Sequence, residues 1–232
     1  MSNDHCFSVP VRTRLRGVRA TLPLALAAAL LVAAPAAVLA QPPAATAPAA
    51  ASPSKLVLDN STRILATLEQ RRAEFAGNRA ALERFVSTEF NSIFDRDYAA
   101  RQVLGRHARG ASDADVQLFA DALADNLMRR YGSSLLDFNT RLRVRIKSET
   151  ALPRGLGVKV ASELLRSGGE PIPVDYLMRR SGGNWKVFDV MVEGVSFVQT
   201  FRQQFDNALT HKSIRQVAAD LRSGKVQADA GR

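Results

Sequence analysis

Two carboxylates, Asp189 and Glu193, stand four residues apart in Asn184–Phe205, NWKVFDVMVEGVSFVQTFRQQF, a segment whose first half is nearly all apolar. Read as a strand at ~3.3 Å per residue, the segment holds them on one face about 13 Å apart. A glycosidase pair wants roughly 5 to 9.5 Å, so that chemistry is excluded. Asp189 with Tyr176 would suit a different reaction, the carboxylate–tyrosine acid–base chemistry of an isomerase or hydrolase on a cone-shaped α+β fold. The competing role for Asp189 is to satisfy backbone donors or an arginine. Other reactive groups are scarce. His107 in RHARG and His211 in THKS have no second His, Cys or carboxylate at metal spacing. Gly-x-Ser-x-Gly, His-Glu-x-x-His, the P-loop and Gly-x-Gly-x-x-Gly are all missing from the sequence. Ser52 to Lys55 matches Ser-x-x-Lys in letters only, within a stretch too poor in apolar side chains to shape a site. No cofactor or metal is expected, and the chain reads as a binding protein rather than an enzyme.

The elements that must position these groups begin after an export signal. Arg12, Arg14, Arg16 and Arg19 precede the apolar run LPLALAAALLVAAPAAVLA, and Val38 and Ala40 fit the small-residue positions of a cleavage site. Residues 1–40 are therefore expected to be a signal peptide, cleaved after Ala40. Cleavage removes those four arginines, Asp4 and Cys6, and lowers the formal charge from +10 to +7. No cysteine remains for a disulfide, so an ordinary apolar core must hold the exported fold, and the periplasm is the natural compartment. The basic charge meets no nucleic-acid motif; it suits a solvated surface, anionic headgroups or an acidic partner.

Residues 41–54, QPPAATAPAAASPS, read as a flexible Pro/Ala tether, and residues 224–232 as a disordered tail. Between them lies one domain, residues 55–223. Its first half is helical: Leu56, Ile64, Leu65, Leu68 and Phe75 recur at helical spacing, as do Leu82, Phe85, Val86, Phe90 and Phe94. A short third helix runs from Tyr98 to Leu104. Ser112 then caps a helix carrying Val116, Phe119, Leu123, Leu127 and Tyr131 on one stripe. The period changes at Arg141–Lys147, RLRVRIK, which alternates cation and aliphatic as a strand with one wet face does. GVKVASELL, IPVDYLM and the opening segment continue as a meander of hairpins, and helices over about 195–209 and 213–221 finish the chain. The expected fold is α+β: N-terminal helices, a curved, mainly antiparallel four-stranded sheet, and C-terminal helices closing a cone with an apolar cavity.

Trp185, Val187, Phe188 and Asp189, then Glu193, Gly194, Val195 and Ser196, then Phe201 and Arg202 form a strand–turn–helix pattern. LMRRYGSSLLDF adds Tyr131 and Leu135 in a Tyr-x-x-x-Leu helix end. Together they resemble the periplasmic phospholipid carriers of the Mla lipid-asymmetry pathway, the MlaC or toluene-tolerance family, over about residues 55–223. The resemblance implies a fold related to the nuclear-transport-factor-like cones and a monomeric shuttle. It also implies two partners, an outer-membrane lipoprotein complex and an inner-membrane ABC transporter complex. A side branch associated with hopanoids leaves the lipid class open. Such a carrier needs an interior as apolar as a bilayer, because exposing about 30 acyl methylenes costs on the order of 25 kcal/mol at ~0.8 each. The expected lining is Val144, Ile146, Val160, Tyr176 and Met178 from the strands and Val187, Val190, Phe197 and Phe201 from the opening segment. Phe94, Leu127 and Tyr131 would complete it from the helices. Gly194 is the expected pivot into the last helices. Arg202, one turn on, is placed to meet a carboxylate or, at the rim, a phosphate.

Overall fold

The computed structural model describes residues 52–136 and 142–229. Helix α1, Pro53–Gln70, starts where Ser52 accepts the Lys55 N–H and proline occupies the first helical position. The helical spacing through Phe75 predicts one continuous helix, but the chain kinks at Arg71 and resumes as α2, Arg72–Gly77. Helix α3, Arg79–Ile93, and α4, Arg96–Leu104, follow, capped by Asn78 and Asp95. Ser112 caps α5, Asp113–Tyr131, whose first turn holds Asp113 and Asp115 and whose last holds Arg129 and Arg130. Acid at the start and base at the end both complement the helix dipole.

The strands are β1, Arg143–Ala151; β2, Val158–Leu165; β3, Ile172–Ser181; β4, Asn184–Val192; and β5, Val195–Ser196. They form one antiparallel sheet in sequence order. Five strands replace the expected four, because Val195 and Ser196 pair back on Val192 and Met191 before the chain turns helical. The two-residue turn that allows this puts Glu193 at φ 51° and Gly194 at φ 82°. Gly194 takes that conformation freely; Glu193, with a side chain, does not. The last helices are α6, Phe197–His211, and α7, Ile214–Ser223. Bulges between Ile146 and Ser148 in β1 and at Phe188 in β4 disrupt the register and bend their strands.

One face of the sheet is apolar. Val160, Met178 and Val187 are buried there with Val57 of α1, and Ile146, Tyr176 and Val190 pack around them. The other face carries charge over β1 to β3, where Arg145 and Lys147 flank Glu163 and Lys159 meets Asp175. The larger core is helical and joins α4, α5, α6 and α7 around Phe119, Phe205, Val217 and Leu221, none of them exposed. Phe119 and Phe205 meet edge to face, with centroids 5.7 Å apart and planes at 89°.

The expected disordered tail is corrected over its described part. Residues Gly224–Asp229 lie on the helices, and Ala228 is fully buried. The amide of Asn126, itself buried, donates to the carbonyls of Leu221 and Val226 and accepts the Ala228 N–H at 2.9 Å. Polar, small-residue composition hid this segment, which is held by its backbone bonds to Asn126 and Gln204 and by Arg130 and Tyr131 at Asp229. Phe138, the last residue of LMRRYGSSLLDF, lies outside the described residues. Phe205→Ala should destabilise the fold by about 3–5 kcal/mol in urea unfolding, the range for deleting a fully buried phenyl. A loss below about 1 kcal/mol would mean that this junction is not a core.

Candidate functional site

Helices α4, α5 and α6 do not close fully on β4. A cavity of about 120 Å³ remains between them, against roughly 10–15 Å³ for one water molecule. Its walls are hydrocarbon. Phe90 and Phe94, stacked with centroids 4.0 Å apart, come from the end of α3. Leu123 and Leu127 come from α5, Phe197, Val198 and Phe201 from the first turns of α6, and Phe188 to Val190 from β4. The register shift at Phe188 lets this residue join Asp189 and Val190 in the lining. The space itself arises where side chains are small: Ala99 and Ala100 on α4 and Ala120 and Ala124 on α5.

Two polar side chains interrupt this lining. Asp189 is 5% exposed. Its Oδ2 accepts the Ser196 hydroxyl at 2.5 Å and its Oδ1 accepts the Val198 N–H at 3.1 Å. Ser196 Oγ in turn accepts the Gln199 N–H at 3.0 Å as the cap of α6. The carboxylate thus fastens the positive end of α6 to β4. Burial pushes its pKa up from the ordinary 3.8, and the bonds from Ser196 and from the Val198 and Val190 backbone pull it back. Arg96 gives one terminal nitrogen to Asn91 Oδ1 at 2.8 Å and the other to Asp121. Its Nε is buried without an acceptor among the described residues.

Five of the residues expected to bind lipid line this cavity: Phe94, Leu127, Val190, Phe197 and Phe201. Ile146, Val160, Tyr176, Met178 and Val187 lie instead in the cluster between the sheet and α1. Val144, half-buried and opposite Leu164, shares their face of the sheet. Phe94 and Val190 border both groups, so cavity and cluster adjoin. Tyr131 lies off the cavity lining, where its hydroxyl donates to Asp229 at 3.1 Å under the Arg130 guanidinium. Arg202 is no rim cation: its Nε donates to the Gln102 carbonyl at 2.6 Å, closing the end of α4 beside Gly105.

The acid–base pair does not form. Tyr176 stands opposite Val190 and Asp189 opposite Leu177, which puts the two side chains on opposite faces of the sheet. Tyr176 faces α1, its hydroxyl 3.5 Å from Ser61 Oγ, and burial pushes the phenol's pKa up. Sequence reasoning also missed the four alanines, Phe90, Phe188 and Arg96. Ala120 and Ala124, one helical turn apart on a stripe of large residues, were the available signal.

Asp189→Ala removes two acceptors and should cost about 1–3 kcal/mol. Asp189→Asn keeps an acceptor for Val198 and isolates the charge. The folded-state pKa lies above the unfolded one, so the contribution of Asp189 is complete below pH 3.8 and is lost as pH rises through the folded value. In urea unfolding across that range, the wild-type advantage over Asp189→Asn should shrink with rising pH. An advantage that grows with pH would mean that the bonds from Ser196 and Val198 outweigh burial and hold the folded pKa below 3.8.

The fold matches that of a phospholipid-binding protein from Ralstonia solanacearum, solved in complex with a phospholipid. The TM-score is 0.66 at 22% identity, over 75% of this chain and 98% of that one. The toluene tolerance protein ttg2D of Pseudomonas putida is 27% identical over 190 residues, 78% of this chain and 86% of the relative. The intermembrane phospholipid transport system binding protein MlaC of Haemophilus influenzae is 20% identical over 185 residues, with the same two coverages. No described helix is long and apolar enough to cross a membrane. The family model described as MlaC protein matches residues 58–223, well over half of the 232 residues, and the chain belongs to the MlaC family.

Proposed function

We propose that this protein is a non-enzymatic, periplasmic phospholipid carrier that takes acyl chains into the cavity between α4, α5, α6 and β4. One observation carries the reading: an almost purely hydrocarbon cavity, walled by aromatic rings and kept open by alanines. Such a lining offers a tail about what a bilayer offers it, so transfer in either direction is close to balanced. Relatives named for phospholipid binding and intermembrane phospholipid transport support the same ligand class. In this reading the carrier works as a monomer after loss of residues 1–40. It exchanges lipid with an outer-membrane lipoprotein complex and an inner-membrane ABC transporter complex, and so maintains outer-membrane lipid asymmetry.

About 120 Å³ holds a stretch of hydrocarbon rather than a whole diacyl lipid. Loading therefore requires the cavity to widen. The adjoining cluster under α1, with Val160, Tyr176 and Met178, is the direction in which a tail extends. The unpaired Nε of Arg96 supplies a donor for a lipid oxygen at the wall.

Native mass spectrometry of protein purified without detergent should show one retained phospholipid. Ala124→Phe, which fills the cavity from α5, should lose that lipid while keeping its melting temperature to within a few degrees. A hopanoid mass would reassign the lipid class. A bare wild-type mass would end the carrier reading.

A further inference from the structure

We propose that the end of the sheet carrying the β1–β2 and β3–β4 turns docks the protein on an anionic bilayer surface. The antiparallel register sets the two turns side by side, because Val158 at the start of β2 stands opposite Met178 and Met178 opposite Val187. The first turn exposes Leu156 at 55%, the most exposed large apolar side chain among the described residues. Beside it Arg154 is held at φ 58°, a conformation that costs a residue with a side chain. The base of the turn is closed by the Leu152 N–H donating to the Gly157 carbonyl, and Gly157 lies so close to β3 that a Cβ there would stand 1.9 Å from the Met178 carbonyl oxygen. On the second turn, Arg180 lies over the half-buried ring of Trp185 at 4.7 Å, and Lys186 follows.

The charge at this end is unbalanced. Lys159 and Arg179 are neutralised by Asp175 and Asp95. Among the described residues, Arg154, Arg180 and Lys186 have no carboxylate within ion-pair distance, and Glu149 accepts from Ser54 instead. Cations around an exposed leucine match the headgroup layer of an anionic membrane, where the cations meet phosphate and Leu156 enters the interface. An acidic protein surface is the competing partner, and the test below separates the two. The end is also close to the cavity: Phe94 bridges to Val187, and Phe188 begins the cavity wall. Docked this way, the carrier presents that wall near the lipid it exchanges, and to that extent the inference rests on the carrier reading.

The test is co-sedimentation of the full protein with phosphatidylcholine–phosphatidylglycerol vesicles and with vesicles of phosphatidylcholine alone, at low and high salt. Wild type should bind the anionic vesicles, release at high salt and ignore the neutral ones. The triple variant Arg154→Gly, Leu156→Ser, Arg180→Gln changes only exposed residues, and glycine relaxes the strain at 154. It should lose roughly fivefold in binding for each cation removed. Ala124→Phe, emptied of lipid, should still bind, which separates docking from cargo. No binding of wild type to anionic vesicles overturns the proposal, as does equal binding by the triple variant. Binding only to membranes that carry native proteins also overturns it, and assigns the surface to an acidic protein.

Discussion

The attachment of α6 to β4 through Asp189 is the contact on which the cavity depends. β4 forms one wall, α6 another, and the carboxylate sits at their junction, bonded to Ser196 and to the Val198 N–H. Phe197, Val198 and Phe201 reach the cavity from the turns that this bond fixes. Burying a charge there is costly, and the helix dipole with two directed donors offsets much of that cost. An apolar side chain at 189 would pack as well but would leave the Val198 N–H and the Ser196 hydroxyl without their acceptor.

The second constraint is steric. Helices packed to full density leave no voids, so an interior cavity requires positions where side chains stop short. Ala99, Ala100, Ala120 and Ala124 provide it on facing helices, while Phe119 and Phe205 keep the neighbouring core solid. Solid core and open space thus begin at adjacent positions of α5, Phe119 and Ala120. The solid part carries stability, and the open part is available to a ligand.

Much of this architecture was legible in the sequence because local rules and global packing agree. RLRVRIK alternates because β1 has one wet face, Ser112 precedes the first turn of α5 because its hydroxyl caps it, and Gly194 marks a turn with positive φ. Legibility ended where tertiary contact decides. Nothing local announces a two-residue β5, the bulge that turns Phe188 toward the helices, or the bonding of Arg202 to the end of α4. The site was harder still. Large apolar residues identify themselves by type, but whether they face each other or a gap depends on what stands opposite. A cavity is defined by missing atoms, and alanine in a helix is ordinary.

The docked C-terminal segment bears on where the domain stops. The family match ends at residue 223, yet Asn126 spends its amide on the carbonyls of Leu221 and Val226 and on the N–H of Ala228. A protein cut after residue 223 would keep every helix and strand but strip two of these three partners from a buried polar group on α5. The minimal folding unit is therefore longer than the minimal recognisable one, by a strip of six residues whose side chains carry almost no sequence signature.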